Sequence, residues 1–272
     1  MLKDITLGQF FPGNSIIHKL DPRIKIISII FIIVAIFSAK NYYALGLVCL
    51  FSLTLVIVSG IGLGMVLKSI KPVLFILIFT TAANIFWTSG ENLLFQIGPV
   101  KVYLEGIAFA VFMALRIICL IIITFVMLTY TTSPVSLTDA LERLLSPLAK
   151  IKLPVHEFSM MMSIALRFIP TLLEETDKII SAQKARGADF ETGSLKKRLR
   201  ALVPIFVPLF VSAFRRADEL ANAMECRLYR GGVGRTRMKV LKITALDVFF
   251  LLFIMLLLAG LFFLNAFFAS AI

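Results

Sequence analysis

The sequence has few of the residues that most catalytic and metal sites need. It contains two histidines and three cysteines in 272 residues, and the cysteines are scattered at Cys49, Cys119 and Cys226. This number and spacing exclude a disulfide framework or a zinc site. Charged residues make up 16% of the chain, against about 25% in ordinary globular proteins. The N-terminal segment also lacks the small-residue cleavage site of a signal peptide.

Apolar residues, in contrast, are abundant. They make up 59% of the chain, whereas ordinary globular chains contain roughly 45–50%. A soluble domain of this length cannot bury so much apolar surface, so lipid must be the solvent for much of the chain. The composition therefore predicts an integral membrane protein. It excludes a secreted domain, a disordered chain and a simple nucleic-acid-binding protein.

Five runs between charged residues are candidates for membrane-spanning helices, which need about 20 mostly apolar residues. The runs are residues 26–39 with a start near Leu20, 41–67, 72–90, 106–129 and 246–269. The first is short, and Lys25 and Lys40 are expected to snorkel outward and extend it. Arg116 interrupts the fourth. It is either a functional intramembrane charge or an arginine held by backbone carbonyls inside the bundle.

Basic residues are concentrated on one side of the predicted spans. If the N-terminus is inside, the interior segments 1–25, 68–71 and 130–245 hold 25 of the 28 Lys and Arg residues. This asymmetry is the positive-inside pattern. We therefore expect a multi-pass protein of the cell membrane with a cytoplasmic N-terminus. Five spans then place the C-terminus outside.

The long segment between the fourth and fifth spans is charged but amphipathic. Residues 130–245 include 19 basic and 11 acidic residues, and their apolar spacing predicts helices over about 136–149, 155–186 and 195–229. The predicted fold is all-α, with about five transmembrane helices and a cytoplasmic coupling region of long amphipathic helices. Its expected parts are an N-terminal membrane bundle, a cytoplasmic or interfacial coupling region and a C-terminal transmembrane helix, over residues 1–129, 130–245 and 246–272.

The second and third of these amphipathic helices end alike. Asp177 is followed nine residues later by Arg186, and Asp218, which precedes Glu219, is followed nine residues later by Arg227. The predicted tips are Ala185, Arg186 and Gly187, and Cys226, Arg227 and Leu228. An arginine at a helix C-terminus is stabilised by the macrodipole and binds carboxylates or carbonyls. A single tip is explained as a favourable helix terminus. The repetition at matched spacing favours a two-pronged docking contact.

The apolar parts of the same two helices form a second candidate surface. Its predicted members are Met160, Met161, Met162, Phe168, Phe206 and Phe210. A run of methionines suits an adaptable apolar contact, because the side chain is unbranched and polarizable. Ordinary core packing explains the methionine run equally well. The sequence leaves both interpretations open.

Several motifs together resemble one family of membrane transport subunits. They are Leu20-Asp-Pro-Arg23, Arg167-Phe-Ile-Pro170, Ala182-Gln-Lys-Ala-Arg-Gly187 and Arg216-Ala-Asp-Glu-Leu-Ala-Asn-Ala-Met-Glu225. Over essentially its whole length the chain resembles the transmembrane coupling subunit, or T component, of energy-coupling factor (ECF) transporters. These transporters are vitamin and metal importers of the ATP-binding-cassette class. The second tip of the family commonly reads Ala-Arg-Gly, whereas this chain has Cys226-Arg227-Leu228.

The resemblance implies a non-catalytic scaffold with two kinds of protein partner. Two cytoplasmic ATP-binding-cassette ATPases would each bind one arginine tip, and a substrate-binding membrane protein, the S component, would pack on the apolar surface. ATP-driven movement of the helices would then drive uptake of vitamins or other micronutrients. The sequence carries no G-x-x-x-x-G-K-[ST] nucleotide loop of its own. The lipid bilayer is a further expected partner. No cofactor and no nucleic-acid partner are expected.

Three other functions are weighed against this interpretation. A membrane enzyme is disfavoured, because His18 and His156 form no recognisable metal or catalytic motif. A permease that binds substrate itself is disfavoured by the few polar residues within the spans. The remaining alternative is a membrane-bound amphipathic scaffold that binds lipid or other membrane proteins without an ATPase.

Overall fold

The structure is a computed structural model that describes residues 10–90, 92–97, 100–151, 153–188, 190, 194–231 and 241–268. Predictions that concern residues 1–9, 232–240 and 269–272 lie outside these ranges. The described chain forms two compact units. Residues 10–137 and 241–268, with the gaps given above, form the membrane unit. The described residues of 138–231 form the coupling unit.

The membrane unit is built from apolar helices and one hairpin. Its elements are α1 (Ile16–Lys19), α2 (Pro22–Ser38), α3 (Tyr42–Ser59), α4 (Leu63–Ile70), α5 (Leu74–Trp87), β1 (Leu93–Ile97), β2 (Val100–Tyr103), α6 (Leu104–Thr124) and α10 (Ala245–Phe267). A 3₁₀ turn, Lys71–Val73, joins α4 to α5, and a π-helical segment, Phe125–Tyr130, extends α6. The core between α2, α3, α6 and α10 consists of aliphatic and aromatic side chains such as Ile32, Val48, Phe51, Ile123 and Leu261.

Four helical stretches among the described residues are long and apolar enough to cross a membrane. They are Tyr42–Ser59, Leu63–Trp87, Leu104–Tyr130 and Ala245–Phe267. The remaining predicted span, the first along the chain, corresponds to α2, which has 17 residues and is about 26 Å long at 1.5 Å per residue. The all-α fold with about five spans is therefore confirmed.

The boundaries of the second and third predicted spans were wrong. Helix α3 ends at Gly60, whose φ of +68° places it in the left-handed region where glycine is favoured. The next helical stretch begins at Leu63, so Lys68 and Lys71 lie within it instead of in a loop. The predicted spans were bounded only by charged residues. They missed the helix break at Gly60, because a glycine ends a helix without changing the hydropathy.

The prediction for Lys25 was also wrong. The side chain does not snorkel outward but is 1% exposed, inside the membrane unit. Its Nζ donates hydrogen bonds to the Thr131 carbonyl oxygen at 2.8 Å and to the Thr131 and Thr132 hydroxyls, each at 3.1 Å. These three acceptors replace water around the ammonium, and they join the start of α2 to the residues after α6.

The geometry around Arg116 matches the structural interpretation of this residue. Its guanidinium donates to the carbonyl oxygen of Ala39, just after α2, and lies 4.9 Å from the ring centroid of Phe112. Arg116 is buried in the bundle. An arginine placed in this way satisfies part of its hydrogen-bonding capacity while it joins α6 to the end of α2.

A buried carboxylate connects the first and last spans. Asp247 is fully buried and accepts hydrogen bonds from the backbone amide of Asp21 and from the amide and hydroxyl of Thr244, all at 2.7 Å. Asp21 caps α2, and its carboxylate pairs with Arg23 at 2.8 Å. The Leu20–Arg23 motif therefore lies at the contact between α2 and α10, where it caps α2 and binds Asp247.

The hairpin between α5 and α6 was not expected from the sequence. Strands β1 and β2 are antiparallel, with Gln96 opposite Lys101 and Ile97 opposite Val100. An isolated two-stranded hairpin is marginal in water. Here its ends are fixed by the helices that flank it.

The coupling unit contains the predicted long helices. Helix α7 (Pro134–Leu145) leads into it, and a 3₁₀ segment (Ser146–Ile151), α8 (Val155–Ala185) and α9 (Leu195–Cys226) follow. His156 Nδ1 lies 2.9 Å from the Glu142 carboxylate, so this histidine connects α8 to α7.

Candidate docking site on the paired helices

Helices α8 and α9 are the longest elements of the described chain. They have 31 and 32 residues, which corresponds to about 46–48 Å each. Pro170 lies inside α8, and Pro204 and Pro208 lie inside α9. Because proline removes a backbone hydrogen bond and kinks a helix, each helix has its weak point well before its charged C-terminal end.

Helix α8 ends in a hydrogen-bonded cap that contains a glycine. The amide of Ala188 donates to the Gln183 carbonyl oxygen, and the amide of Gly187 donates to the Lys184 carbonyl oxygen, both at 3.0 Å. Gly187 has φ +81°, in the left-handed region. These two bonds and the left-handed residue define a Schellman motif, in which Arg186 is the C-cap.

Helix α9 ends in the same motif. The amide of Tyr229 donates to the Met224 carbonyl oxygen at 3.0 Å, and the amide of Leu228 donates to the Glu225 carbonyl oxygen at 2.8 Å. Arg227 is the C-cap. The two helix ends that share a sequence spacing therefore also share one backbone geometry, with an arginine at the same position of each.

Leu228 occupies the position that Gly187 has in the first tip. It has φ +54° and is the one non-glycine residue with positive φ in the described part of the chain. The left-handed conformation costs a residue with a Cβ roughly 1–2 kcal/mol. The departure from the Ala-Arg-Gly pattern thus adds local strain, but it leaves the hydrogen bonds of the cap unchanged.

Both arginines project from exposed helix ends. All residues of the two predicted tips are exposed, and so are the acidic residues Asp177, Asp218 and Glu219 that precede them: the tips are Ala185, Arg186 and Gly187, and Cys226, Arg227 and Leu228. A guanidinium at a helix C-terminus is favoured by the macrodipole, and its planar fork can donate two parallel hydrogen bonds to a carboxylate. The small neighbours Ala185 and Cys226 leave room around each guanidinium. Among the described residues, no cluster of His, Cys, Asp or Glu is placed to hold a metal ion.

The two helices contact each other at equivalent positions. Arg216 of α9 donates a hydrogen bond to the carboxylate of Glu175 of α8 at 3.0 Å. Arg216 follows Glu175 by 41 residues, which is also the separation of Arg227 from Arg186. Each arginine tip therefore lies 11 residues beyond this contact on its own helix, or about 16 Å along the axis.

This ion pair was not among the predicted site residues. A hydrogen bond from Ser212 lowers the pKa of the Glu175 carboxyl below its ordinary value, and the positive charge of Arg216 lowers it further. The Glu175 carboxylate therefore stays charged to a lower pH than an ordinary glutamate. The same 41-residue repeat that relates the tips also relates Glu175 to Arg216, and this was the signal in the sequence that could have found the pair.

An exposed apolar surface, defined by two sets of side chains, lies before the tips. On α9 it comprises Val203, Phe206, Val207, Phe210, Val211 and Phe214, and on α8 it comprises Phe158, Met161 and Met162. Met160 and Phe168, which were predicted to belong to it, are partly buried. Phe168 instead lines a cleft of about 260 Å³ between α8 and α9, opposite Ala213 and Ala217.

Fold and site define a multi-pass membrane protein whose paired helices present matched, exposed arginines. The sequence profile of the family CbiQ, described as cobalt transport protein, matches residues 13–240. Relatives named energy-coupling factor transporter transmembrane protein EcfT are also similar. The one from Ruminiclostridium cellulolyticum is 53% identical over 248 residues, which cover 91% of this chain and 92% of that protein. The one from Bacillus subtilis is 47% identical over 266 residues, which cover 98% of this chain and all of that protein.

The chain therefore belongs to the CbiQ family, and its relatives make it a transmembrane component of the ECF transporter class. Membership of this class agrees with the expectation that the chain is a transporter subunit and not an enzyme. It also agrees with a multi-pass membrane location.

Proposed function

We propose that this chain couples ATP hydrolysis by two cytoplasmic ATP-binding-cassette ATPases to movement of a membrane-embedded S component that carries a vitamin or another micronutrient. In this function the chain binds neither nucleotide nor cargo. It transmits movement from one set of partners to the other. The observation that carries the proposal is the pair of identical helix caps, each with an exposed arginine.

The arginine tips are the proposed ATPase contacts. Arg186 and Arg227 are both C-caps of Schellman motifs, and both lie 11 residues beyond the contact between Glu175 and Arg216. Two equivalent tips suit a partner made of two similar subunits, since each subunit then receives the same group. Asp177, Asp218 and Glu219 are exposed on the same helix ends, where they can complement basic residues of the partners.

The exposed apolar surface of α8 and α9 is the proposed contact for the S component. Phe206 and Phe210 are 57% and 64% exposed, and Met161 is 57% exposed. Contiguous exposed apolar patches of this kind mark protein–protein or membrane contacts. A partner that is itself a membrane protein offers a matching apolar surface.

The proposed function requires one orientation of the chain in the membrane. The coupling unit and the N-terminus lie on the cytoplasmic side of the membrane, where the ATPases and ATP are found, and the C-terminus lies outside. The excess of basic residues in segments 1–25 and 130–245 supports this orientation.

The first test reverses the charge of both tips. In the double variant Arg186→Glu/Arg227→Glu, each carboxylate would face a groove that accepts a guanidinium, so ATPase association and uptake are expected to be lost. Truncation of one charged partner at such a contact costs about 2–5 kcal/mol. Co-purification of tagged ATPases with the chain and uptake by cells provide the two measurements.

The matched control for this test is Lys178→Glu/Arg215→Glu. It makes the same change in net charge at exposed positions of the same two helices, and it should retain the ATPases. If the tip variant keeps both complex and uptake, the docking assignment is wrong. The chain is then better described as a scaffold that works without ATPases.

The second test introduces a charge into the apolar surface. Met161→Asp or Phe206→Asp would place a carboxylate against an apolar partner, so binding of the S component should fall while the ATPases stay attached. Ile179→Asp, outside that surface on α8, serves as a comparison. Loss of S component and ATPases together would indicate misfolding, and undisturbed S-component binding would refute the assignment of this surface.

A further inference from the structure

The first turns of α9 carry a cluster of basic residues at the unfavourable end of a helix. Lys196, Lys197, Arg198 and Arg200 lie within six residues of its start, and its first turn contains no acidic residue. Cations at a helix N-terminus oppose the macrodipole. The cluster therefore makes α9 less stable, and an anion outside the helix would offset that cost.

The cluster also has no acidic residue within reach along its own helix. The positions three and four residues from Lys196 and Arg200 hold no Asp or Glu, and these two bases are four residues apart, a spacing at which like charges repel. Lys178 and Arg215 differ, because each has two acidic residues three and four positions away. Lys196 and Arg200 are nevertheless both exposed.

The two exposed bases lie on the same face of α9 as the exposed apolar surface. From Lys196 the positions Arg200, Val203, Val207, Phe210 and Phe214 follow in alternating steps of four and three residues, which keeps them on one helix face. The four apolar members are 55–64% exposed. One face therefore begins with two positive charges and continues as apolar side chains for about three turns.

We propose that Lys196 and Arg200 bind the phosphate groups of anionic phospholipids, with Val203 against the first part of the acyl chains. A membrane interface presents negative headgroups and hydrocarbon within one helix turn of each other, and this is the order of side chains on α9. An acidic soluble protein or RNA would satisfy the charges, but it would leave the adjoining apolar residues in water.

This lipid contact does not depend on the ATPase contact. Arg200 and Arg227 are 27 residues apart on the same helix, or about 40 Å along its axis. A lipid-bound first turn would hold the apolar surface at the depth of the membrane interface, where a membrane partner meets it. The lipid contact thus goes beyond the proposed coupling function, and it can fail or succeed separately.

The test titrates phosphatidylglycerol or phosphatidylcholine into the purified full chain in neutral detergent, with bound lipids counted by native mass spectrometry. Wild type should prefer phosphatidylglycerol, and Lys196→Gln/Arg200→Gln should weaken its binding roughly 30-fold. This expectation follows from about 1 kcal/mol per base near an anionic surface and 1.4 kcal/mol per tenfold change. Salt screens surface charges, and 0.5 M NaCl shortens the Debye length to about 4 Å. This concentration should therefore remove most of the preference for phosphatidylglycerol.

Two further variants make the result specific. Lys178→Gln/Arg215→Gln removes the same charge from positions with acidic neighbours and should change binding less than about threefold. Lys196→Arg/Arg200→Lys keeps both charges and should bind like wild type. Equal losses in both glutamine variants, no preference for phosphatidylglycerol, or preferential capture of RNA by the cluster would overturn the proposal. ATPase co-purification should be unchanged in all of these variants.

Discussion

The membrane unit and the coupling helices use similar side chains in opposite ways. In α2, α3 and α6, residues such as Ile32, Val48 and Ile123 are buried against one another. Lys25 of α2 and Asp247 of α10 are buried as well. Among the described residues of α8 and α9, only Ser159 and Ile205 are buried. The bulky and charged side chains of the paired helices are thus left available for contacts outside the chain.

The difference also concerns how polar groups are satisfied. In the membrane unit, buried polar groups connect distant segments, as Asp247 does with Asp21 and Lys25 does with Thr131. In the coupling unit, the pair of Glu175 and Arg216 is partly exposed. Since a buried group without a partner costs far more than an exposed one, we expect the membrane unit to tolerate polar substitutions poorly. The paired helices should tolerate them in stability but not in partner binding.

The largest expected effect is that of Asp247→Ala. The substitution leaves the Asp21 amide and the Thr244 amide and hydroxyl without their buried acceptor, so the free energy of unfolding should fall by about 3 kcal/mol. Thermal unfolding in detergent measures the change. Asp218→Ala, at an exposed carboxylate of α9, should change stability by less than about 0.5 kcal/mol. Equal effects of the two substitutions would remove the distinction between the units.

A smaller effect is expected at the two caps. Leu228→Gly relieves the left-handed strain, and Gly187→Leu introduces it, each by about 1 kcal/mol. Apart from Gly187 itself and its two chain neighbours, no residue has an atom within 4 Å of the position that a Cβ would take there, so the cost comes from φ alone. Amide hydrogen exchange at the cap amides should slow roughly fivefold in the first variant and quicken similarly in the second. Unchanged exchange in both would mean that the caps do not carry this strain.

The smallest expected effect is that of Glu175→Gln. A partly exposed pair contributes about 0.2–1 kcal/mol, so the variant should unfold slightly more easily at pH 7. Because the pKa of Glu175 is lowered in the folded chain, the contribution is complete above the ordinary glutamate value of about 4.3. It disappears as the pH falls through the folded-state pKa. A difference in unfolding free energy that stayed constant into strong acid would contradict the ionic origin of this contact.

Features that depend on residues close together along the chain were predictable from the sequence. The apolar runs indicated the spans, and the 3.6-residue period and the arginine spacing indicated the two long helices with their matched ends. The predicted boundary of the second span was wrong because α3 ends at Gly60 without a change in hydropathy. The conformation of Leu228 was also not predictable, because leucine is disfavoured in the left-handed region.

The amino-acid sequence by itself determined that this chain lies in lipid, is helical and ends two long helices with equivalent arginines. These properties follow from the transfer of apolar side chains out of water and from hydrogen bonds within a few residues. Only the tertiary structure decided that Lys25 is enclosed by Thr131 and Thr132, that Asp247 binds the start of α2 and that Glu175 meets Arg216. These contacts join residues 41 to 226 positions apart, so they form only once the packing of whole helices has brought distant segments together.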